Sequence, residues 1–216
     1  MNTIIRISIS LILFFQVYFP LSAQDAKEPF EGKINYSLKF VDKTGELNEA
    51  MVKLFIGDEQ LYTVKREKYK NDMNGKFKFR QAYLGNDTMY TQYLGNKFVL
   101  WTLSSEQEDS LLSYEIIENA EEINGISCHL LQLKTRNGSI DYYYHPDYRL
   151  DSEDYKVHES GFWSFFVEKT GCLPLKSVVD TEEEFTELIF KEIMPMKIED
   201  SEFAVPVGPR KKASEE

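Results

Sequence analysis

A hairpin signal constrains this chain more than anything else in it. Ile126-Ser-Cys-His-Leu-Leu-Gln-Leu-Lys134 and Ile140-Asp-Tyr-Tyr-Tyr-His145 flank the turn Arg136-Asn-Gly-Ser139. The tight turn that matches strand twist needs positive φ at both central residues, and Asn followed by Gly tolerates this best, so Asn137-Gly138 is expected at the turn centre. A second hairpin follows, with residues 173–179 paired to residues 185–193 across Asp180-Thr-Glu-Glu-Glu184.

The rest of the chain reads as strands in the same style. Phe30, Ile34, Tyr36, Leu38 and Phe40 alternate with Lys33, Asn35, Ser37 and Lys39, which is the pattern of a half-buried strand. Strands are predicted over residues 51–56 and 61–66, a polar stretch over 67–75 that ends in the turn pair Asn74-Gly75, and a strand carrying Phe77, Phe79 and Tyr83. Tyr83-Leu-Gly-Asn86 recurs as Tyr93-Leu-Gly-Asn96, the turn spacing of a meander. Residues 98–103 form an apolar strand covered on both faces, and residues 111–119 suit a strand better than a short helix. Residues 146–161 are charged and irregular, a loop length usually reserved for function or mobility. Phe162-Trp-Ser-Phe-Phe-Val167 reads as an extra strand or an apolar flap.

These segments give a mainly β fold, a single curved antiparallel sheet of about nine to eleven strands forming an incomplete barrel, with a short loop or helical lid. One domain is expected over residues 27–207, with a disordered tail over 208–216.

Export is expected. Arg6 opens an apolar run that ends at Pro20 and Ala23, shorter than the about 20 residues of a membrane span, so residues 1–23 read as a signal peptide cleaved near Ala23. No cysteine follows the run, which points to a periplasmic or secreted protein without a lipid anchor. Its removal leaves 24 basic against 36 acidic side chains, a net charge of −12. Such a balance excludes a nucleic-acid binder and disfavours anionic membrane surfaces.

Chemistry-bearing motifs are sparse. Gly-x-Ser-x-Gly is absent, so no nucleophile elbow is expected and the chain is not read as an enzyme. His145 and His158 bracket Asp147, Asp151, Glu153 and Asp154 without the spacing of a metal site, and an acidic loop is more often solvated, so no metal or cofactor is expected. Glu182, Glu183 and Glu184 sit in a turn and are read as solvated. Cys128 and Cys172 begin strands separated by a third, so their axes lie about 9.6 Å apart, against a disulfide limit of about 7 Å between Cα atoms. Two free thiols are expected, although Cys172 in a connection could swing across to Cys128.

Aromatic content is the feature with most to say. Tyr36, Phe40, Phe77, Phe79, Tyr90, Phe98 and Trp101, with the cluster from Phe162 to Phe166, are either a packed interior or the lining of a concave pocket for an apolar ligand. The residues expected at such a pocket are Tyr36, Leu38, Phe40, Phe77, Phe79, Met89, Trp101, Phe162, Trp163 and Phe165.

The C-terminal stretch, Leu173-Pro-Leu-Lys-Ser-Val-Val-Asp180, Phe185-Thr-Glu-Leu-Ile-Phe190, Ile198-Glu-Asp-Ser-Glu-Phe203 and Val205-Pro206-Val207-Gly208, resembles the end of the periplasmic outer-membrane lipoprotein carrier family. Phe30-Glu-Gly-Lys-Ile-Asn-Tyr36 and Gly125-Ile-Ser-Cys128 are similar to uncharacterised carrier-like exported proteins of Bacteroidetes. The resemblance implies an unclosed antiparallel barrel with a short lid, whose apolar concavity shelters an acyl chain. The expected function is non-catalytic binding of a lipid or lipoprotein acyl chain by a monomer. The alternative is an envelope interaction or structural protein with a filled barrel and a protein partner.

Overall fold

The computed structural model describes residues 28–76, 80–92, 98–205 and 207–213. The expected signal stretch over residues 1–23 and the second Tyr-Leu-Gly-Asn copy at residues 93–96 lie outside the described residues. The described strands form one sheet of twelve, built from two meanders. The first runs through β1 (Glu31–Asp42), β2 (Glu59–Lys65), β3 (Lys68–Met73), β4 (Arg80–Leu84), β5 (Thr88–Gln92) and β6 (Val99–Leu103). The second runs through β7 (Leu111–Ile123), β8 (Ile126–Thr135), β9 (Gly138–Arg149), β10 (Cys172–Thr181) and β11 (Glu184–Pro195). They are fused where β1 pairs with β11, from Gly32↔Pro195 to Asp42↔Glu184, so the start and end of the domain hold each other in place. A short β12 (Arg210–Lys212) adds in parallel to β6. The sheet is therefore mixed, and it is unclosed, with β12 and β7 at its two edges.

Hairpin chemistry explains the second meander, but the positive-φ pair lies elsewhere than expected. Asn124 and Gly125 both have positive φ (49° and 83°) and turn β7 into β8, whereas Asn137 is not among the positive-φ residues. The β8–β9 connection is Arg136-Asn137, secured by Thr135 Oγ1 accepting from the Gly138 amide.

Four sequence expectations are corrected. Residues 51–56 form no strand: α1 (Glu49–Phe55) occupies them, because Asn48 accepts from the Met51 amide as an N-cap and only Val52 needs burial. The polar stretch over residues 67–75 holds β3, with Tyr69 buried, where no strand is predicted. Residues 162–167 are neither strand nor flap: α2 (Trp163–Thr170) begins after Phe162 in left-handed backbone and stops at Gly171, whose φ of 59° forms a left-handed C-cap. The stretch from residue 208 holds β12 where a disordered tail is expected. The strand count of twelve also exceeds the expected nine to eleven.

The outer covering comes from the C-terminal segment. Ile198 and Phe203 are buried, and Asp200 and Glu202 meet the lysines that project from β1 to β3. Lys65 and Lys68 reach Asp200 at 3.1 and 3.6 Å, while Lys70 and Lys33 reach Glu202 at 2.6 and 3.6 Å. Those pairs hold both carboxyls below the ordinary carboxylate range, chiefly through the hydrogen bonds from Lys65 and Lys70. The interleaved lysines of residues 65–70 thus serve internal pairing.

On the inner face the sheet bends around α2. Tyr69 of β3 and Tyr142 of β9 are five strand spacings apart, about 24 Å in a flat sheet. Their ring centroids nevertheless lie 6.0 and 6.5 Å from that of Trp163, so the two rings are no farther apart than about half the flat distance. The segment leading into α2 is pinned at three places. Tyr155 donates to the Arg66 carbonyl, Tyr142 donates to the Gly161 carbonyl at 2.8 Å, and the Ser104 carbonyl accepts from the amides of Glu159 and Ser160.

Cys128 on β8 and Cys172 on β10 are buried and free, with β9 between them. Burial pushes both thiols up to about 11. Titration of the unfolded, unreduced protein should report two thiols per chain, and in the native state both should react far more slowly than a small thiol at pH 8. Finding none in the unfolded protein would contradict this.

Candidate functional site

Alternation along β1, β2 and β3 points Tyr36, Gln60, Tyr62, Tyr69 and Asn71 to the inner face. Residues of β9 to β11 complete the wall from the other meander, and α2 supplies Trp163. Together they line a half-open chamber of about 190 Å³ formed by Tyr36, Gln60, Tyr62, Tyr69, Asn71, Tyr142, Trp163, Pro174, Ser177, Val179 and Leu188. No Asp, Glu, Lys, Arg or His is among those residues. Burial drives the hydroxyls of Tyr36, Tyr62, Tyr69 and Tyr142 well above the ordinary phenol range, so the chamber stays uncharged at any physiological pH.

The polar atoms of this wall divide into two groups. Tyr36 donates to the Pro174 carbonyl at 2.7 Å, and Gln60 Nε2 donates to Asn71 Oδ1 at 3.3 Å. Tyr62 Oη and Trp163 Nε1, in contrast, are buried without a hydrogen-bond partner. Such orphans cost about 1–3 kcal/mol each, and both atoms are covered by the protein, out of reach of a molecule in the chamber.

A second space adjoins the chamber. A half-open groove of about 560 Å³ runs between β1 and the α1 region, walled by Leu38, Phe40, Leu47 and Val52 and rimmed by Lys39, Asp42, Glu49, Lys53 and Asp58. Leu38, in the groove wall, is the cross-strand partner of Leu188, in the chamber wall.

The expected pocket residues are scattered by the fold. Tyr36 and Trp163 line the chamber, and Leu38 and Phe40 line the groove. Met89 is buried opposite Tyr83 and lines neither space; Phe162 is buried core at the entry to α2. Phe165 packs on Tyr114 of β7 at 5.1 Å with the Lys169 ammonium 5.2 Å from its ring, away from the chamber. Trp101 is a correction of face. It is the register partner of Tyr90, which pairs with Ala82, which in turn pairs with Lys70, and this places it on the outer side, with Lys212 5.8 Å from its ring. Phe77 and Phe79 lie outside the described residues. Sequence reading misses Tyr62, Tyr69 and Tyr142, because tyrosine alternation is easily taken for ordinary core. The signal present was Gln60 and Asn71, amides in phase with Tyr62 and Tyr69.

His158 sits behind the chamber wall. Its Nε2 is 2.6 Å from Tyr69 Oη, its ring centroid lies 4.6 Å from that of Tyr83, and its Nδ1 has no partner. His145 instead lies near Asp147 and Tyr148. Among the described residues no group of three or more His, Cys, Asp and Glu side chains is placed to hold a metal ion.

No protein-family model and no curated protein matches the chain. Among solved structures it is similar to PNGF-II in two crystal forms, with 12% and 14% identity and TM-scores of 0.47 and 0.45. Each alignment covers 85% of this chain and 32% of the other, so the chain spans about a third of the length of PNGF-II. An uncharacterised conserved protein from Thermus thermophilus is similar at 7% identity and a TM-score of 0.43, over 84% of this chain and 91% of that one.

Burial lowers the His158 imidazole from 6.5 to about 4. Between those values the unfolded chain takes up a proton that the folded protein refuses. Stability from this group is therefore complete above pH 6.5 and falls as pH drops toward 4, by about 3 kcal/mol in all. Urea unfolding at pH 7.5 and 5.0 should show a loss of about 2 kcal/mol in wild type beyond that of His158→Gln. An equal loss in both proteins would contradict the assignment.

Proposed function

We propose that this protein is a non-catalytic, exported binder of an apolar ligand, which it holds in the concavity of an incomplete β-barrel. The observation that carries the reading is the uncharged, tyrosine-walled chamber with Gln60, Asn71 and Ser177 in its wall, adjoining an apolar groove with a charged rim. Ligand sites are mostly apolar with a few placed polar groups, and both halves of that description are met on the inner face. The chamber alone is smaller than the roughly 300–1,000 Å³ of a drug-sized site. It therefore accommodates one end of an acyl chain, with the remainder in the groove beneath α1, where the rim of Lys39, Glu49 and Lys53 faces water. In this reading α2 is the fixed plug of the barrel and α1 its lid. The N-terminal stretch directs the monomer to the periplasm or outside the cell.

One observation favours a second reading, an envelope interaction protein. Strand β7 is an unpaired edge with Leu112, Tyr114 and Ile116 exposed at 68, 49 and 43%. Long edges of this kind are templates for strand addition.

Native mass spectrometry of the protein purified from its own cell envelope separates the two. A co-purifying acyl species, lost in Ser177→Phe with a stability change of no more than about 1 kcal/mol, is the expected result. Consistent absence of any bound species, together with a protein partner released by Tyr114→Lys, would favour the second reading.

A further inference from the structure

The two edges of the sheet differ. At one, the chain lays its own β12 along β6, with Lys212 5.8 Å from the Trp101 ring. At the other, β7 ends the sheet, and no described strand pairs with its outer edge. The pairing of β7 with β8 is unbroken only over residues 113–117, because register shifts interrupt it on both sides. The second shift is a built bulge: Asn119 has a φ of 49°, its amide donates to His129 Nδ1 at 3.1 Å, and its Oδ1 accepts from Ser127 Oγ at 3.1 Å. Bulges end regular pairing, so residues 113–117 are the part of this edge on which a further strand can form. Those residues carry different chemistry on their two faces. Tyr114 and Ile116 share the inner face with Leu133 and Leu131, and Tyr114 packs on Phe165 of α2, so an apolar surface runs from the edge to the plug. Glu115, between them, is on the outer face in line with Gln132 and Asp141 of the next two strands. Glu118, Glu121 and Glu122 follow, and of the four glutamates only Glu121 is in an ion pair among the described residues, with Lys176 at 2.8 Å. Lys169, beside Tyr114, already pairs with Glu168 at 2.9 Å.

This pattern decides what can lie along the edge. A second copy paired antiparallel about the middle of the segment would set Glu115 opposite Glu115, and like charges directly opposite one another destabilise a strand pair. The net charge of −11 on each chain adds to the repulsion. We propose that β7 is a docking edge for an extended segment of a partner protein in which apolar residues alternate with lysine or arginine. The partner's apolar side chains lie opposite Tyr114 and Ile116, beside Phe165, its basic side chain lies opposite Glu115, and the backbone hydrogen bonds of strand addition join the two. This gives a chemical identity to the partner of the edge-strand reading above and rests on that reading; the chamber plays no part in it.

Fluorescence anisotropy of short labelled peptides tests this in the intact protein. One peptide alternates valine with lysine, one valine with glutamate and one valine with serine, and alternate amides of each are N-methylated so that a single edge is free to pair. At about 50 mM salt the lysine peptide should bind at least about tenfold more tightly than the glutamate peptide, with the serine peptide between them, and about 1 M salt should shrink that ratio to about threefold or less. Glu115→Lys, at an exposed position, should keep the melting temperature and cut the ratio at low salt at least about fivefold. Backbone amide shifts on binding should centre on residues 113–117. Equal binding of all three peptides there, indifferent to Glu115→Lys, would overturn the charge assignment while leaving strand addition at β7 intact. Binding of none of them, or shifts centred elsewhere, would overturn the edge-strand reading and this inference with it.

Discussion

The inner face depends on the indole of Trp163 lodged between tyrosines from opposite meanders. Tyr69, Tyr142, Tyr155 and Phe166 all lie within 6.5 Å of it, ring centroid to ring centroid. Each such pair is worth about 0.5–1.5 kcal/mol beyond the apolar area it buries, and together they draw β3 and β9 toward a common centre. Without that plug a twelve-stranded open sheet has no reason to curl far enough for Tyr62 and Leu188 to wall the same space. Residues 150–162 matter because they deliver the plug. Their anchors, Tyr155 to the Arg66 carbonyl and Ser104 to Glu159 and Ser160, tie the segment to the first meander while Tyr142 ties it to the second.

Around Tyr69 the fold tolerates unsatisfied polarity. Tyr62 Oη, Trp163 Nε1, Tyr83 Oη and His158 Nδ1 are all buried without partners, on residues that cluster around Tyr69. Phenylalanine at the tyrosine positions would remove two of these orphans at almost no change of shape. Buried groups left unpaired at about 1–3 kcal/mol each are a drain on a domain whose whole stability is of the order of 5–15 kcal/mol. His158 belongs to the same account: neutral and buried, it holds Tyr69 from behind and leaves the front of that ring to the chamber.

Much of the sheet is legible in the sequence because its strands obey period two. The alternation from Phe30 to Phe40 places Ile34, Tyr36 and Leu38 correctly inward, and the turn chemistry between β10 and β11 sets their pairing. What is not legible has identifiable causes. Strand β3 is disguised by Lys68 and Lys70, whose partners Asp200 and Glu202 each lie 132 positions further along the chain. The plug helix is disguised by composition, since Phe162-Trp-Ser-Phe-Phe-Val167 is rich in strand formers and too short to show a helical period. Its register, with Trp163, Phe166 and Val167 on one side, emerges only when Gly171 is recognised as a C-cap. Trp101 illustrates the limit for sites: its strand is evident, but which face it presents depends on the pairing through β5 to β3, and no local pattern carries that information.

The bend of the sheet around α2 is the claim on which the chamber, and every functional statement about it, stands. Proton NMR of the protein with selectively labelled tryptophan tests it most directly. Nuclear Overhauser contacts from the Trp163 ring to the rings of both Tyr69 and Tyr142 are the predicted result, since five strand spacings of about 24 Å would otherwise keep them apart. Contacts to one tyrosine without the other would mean that the two meanders do not converge on Trp163, and the account would fail.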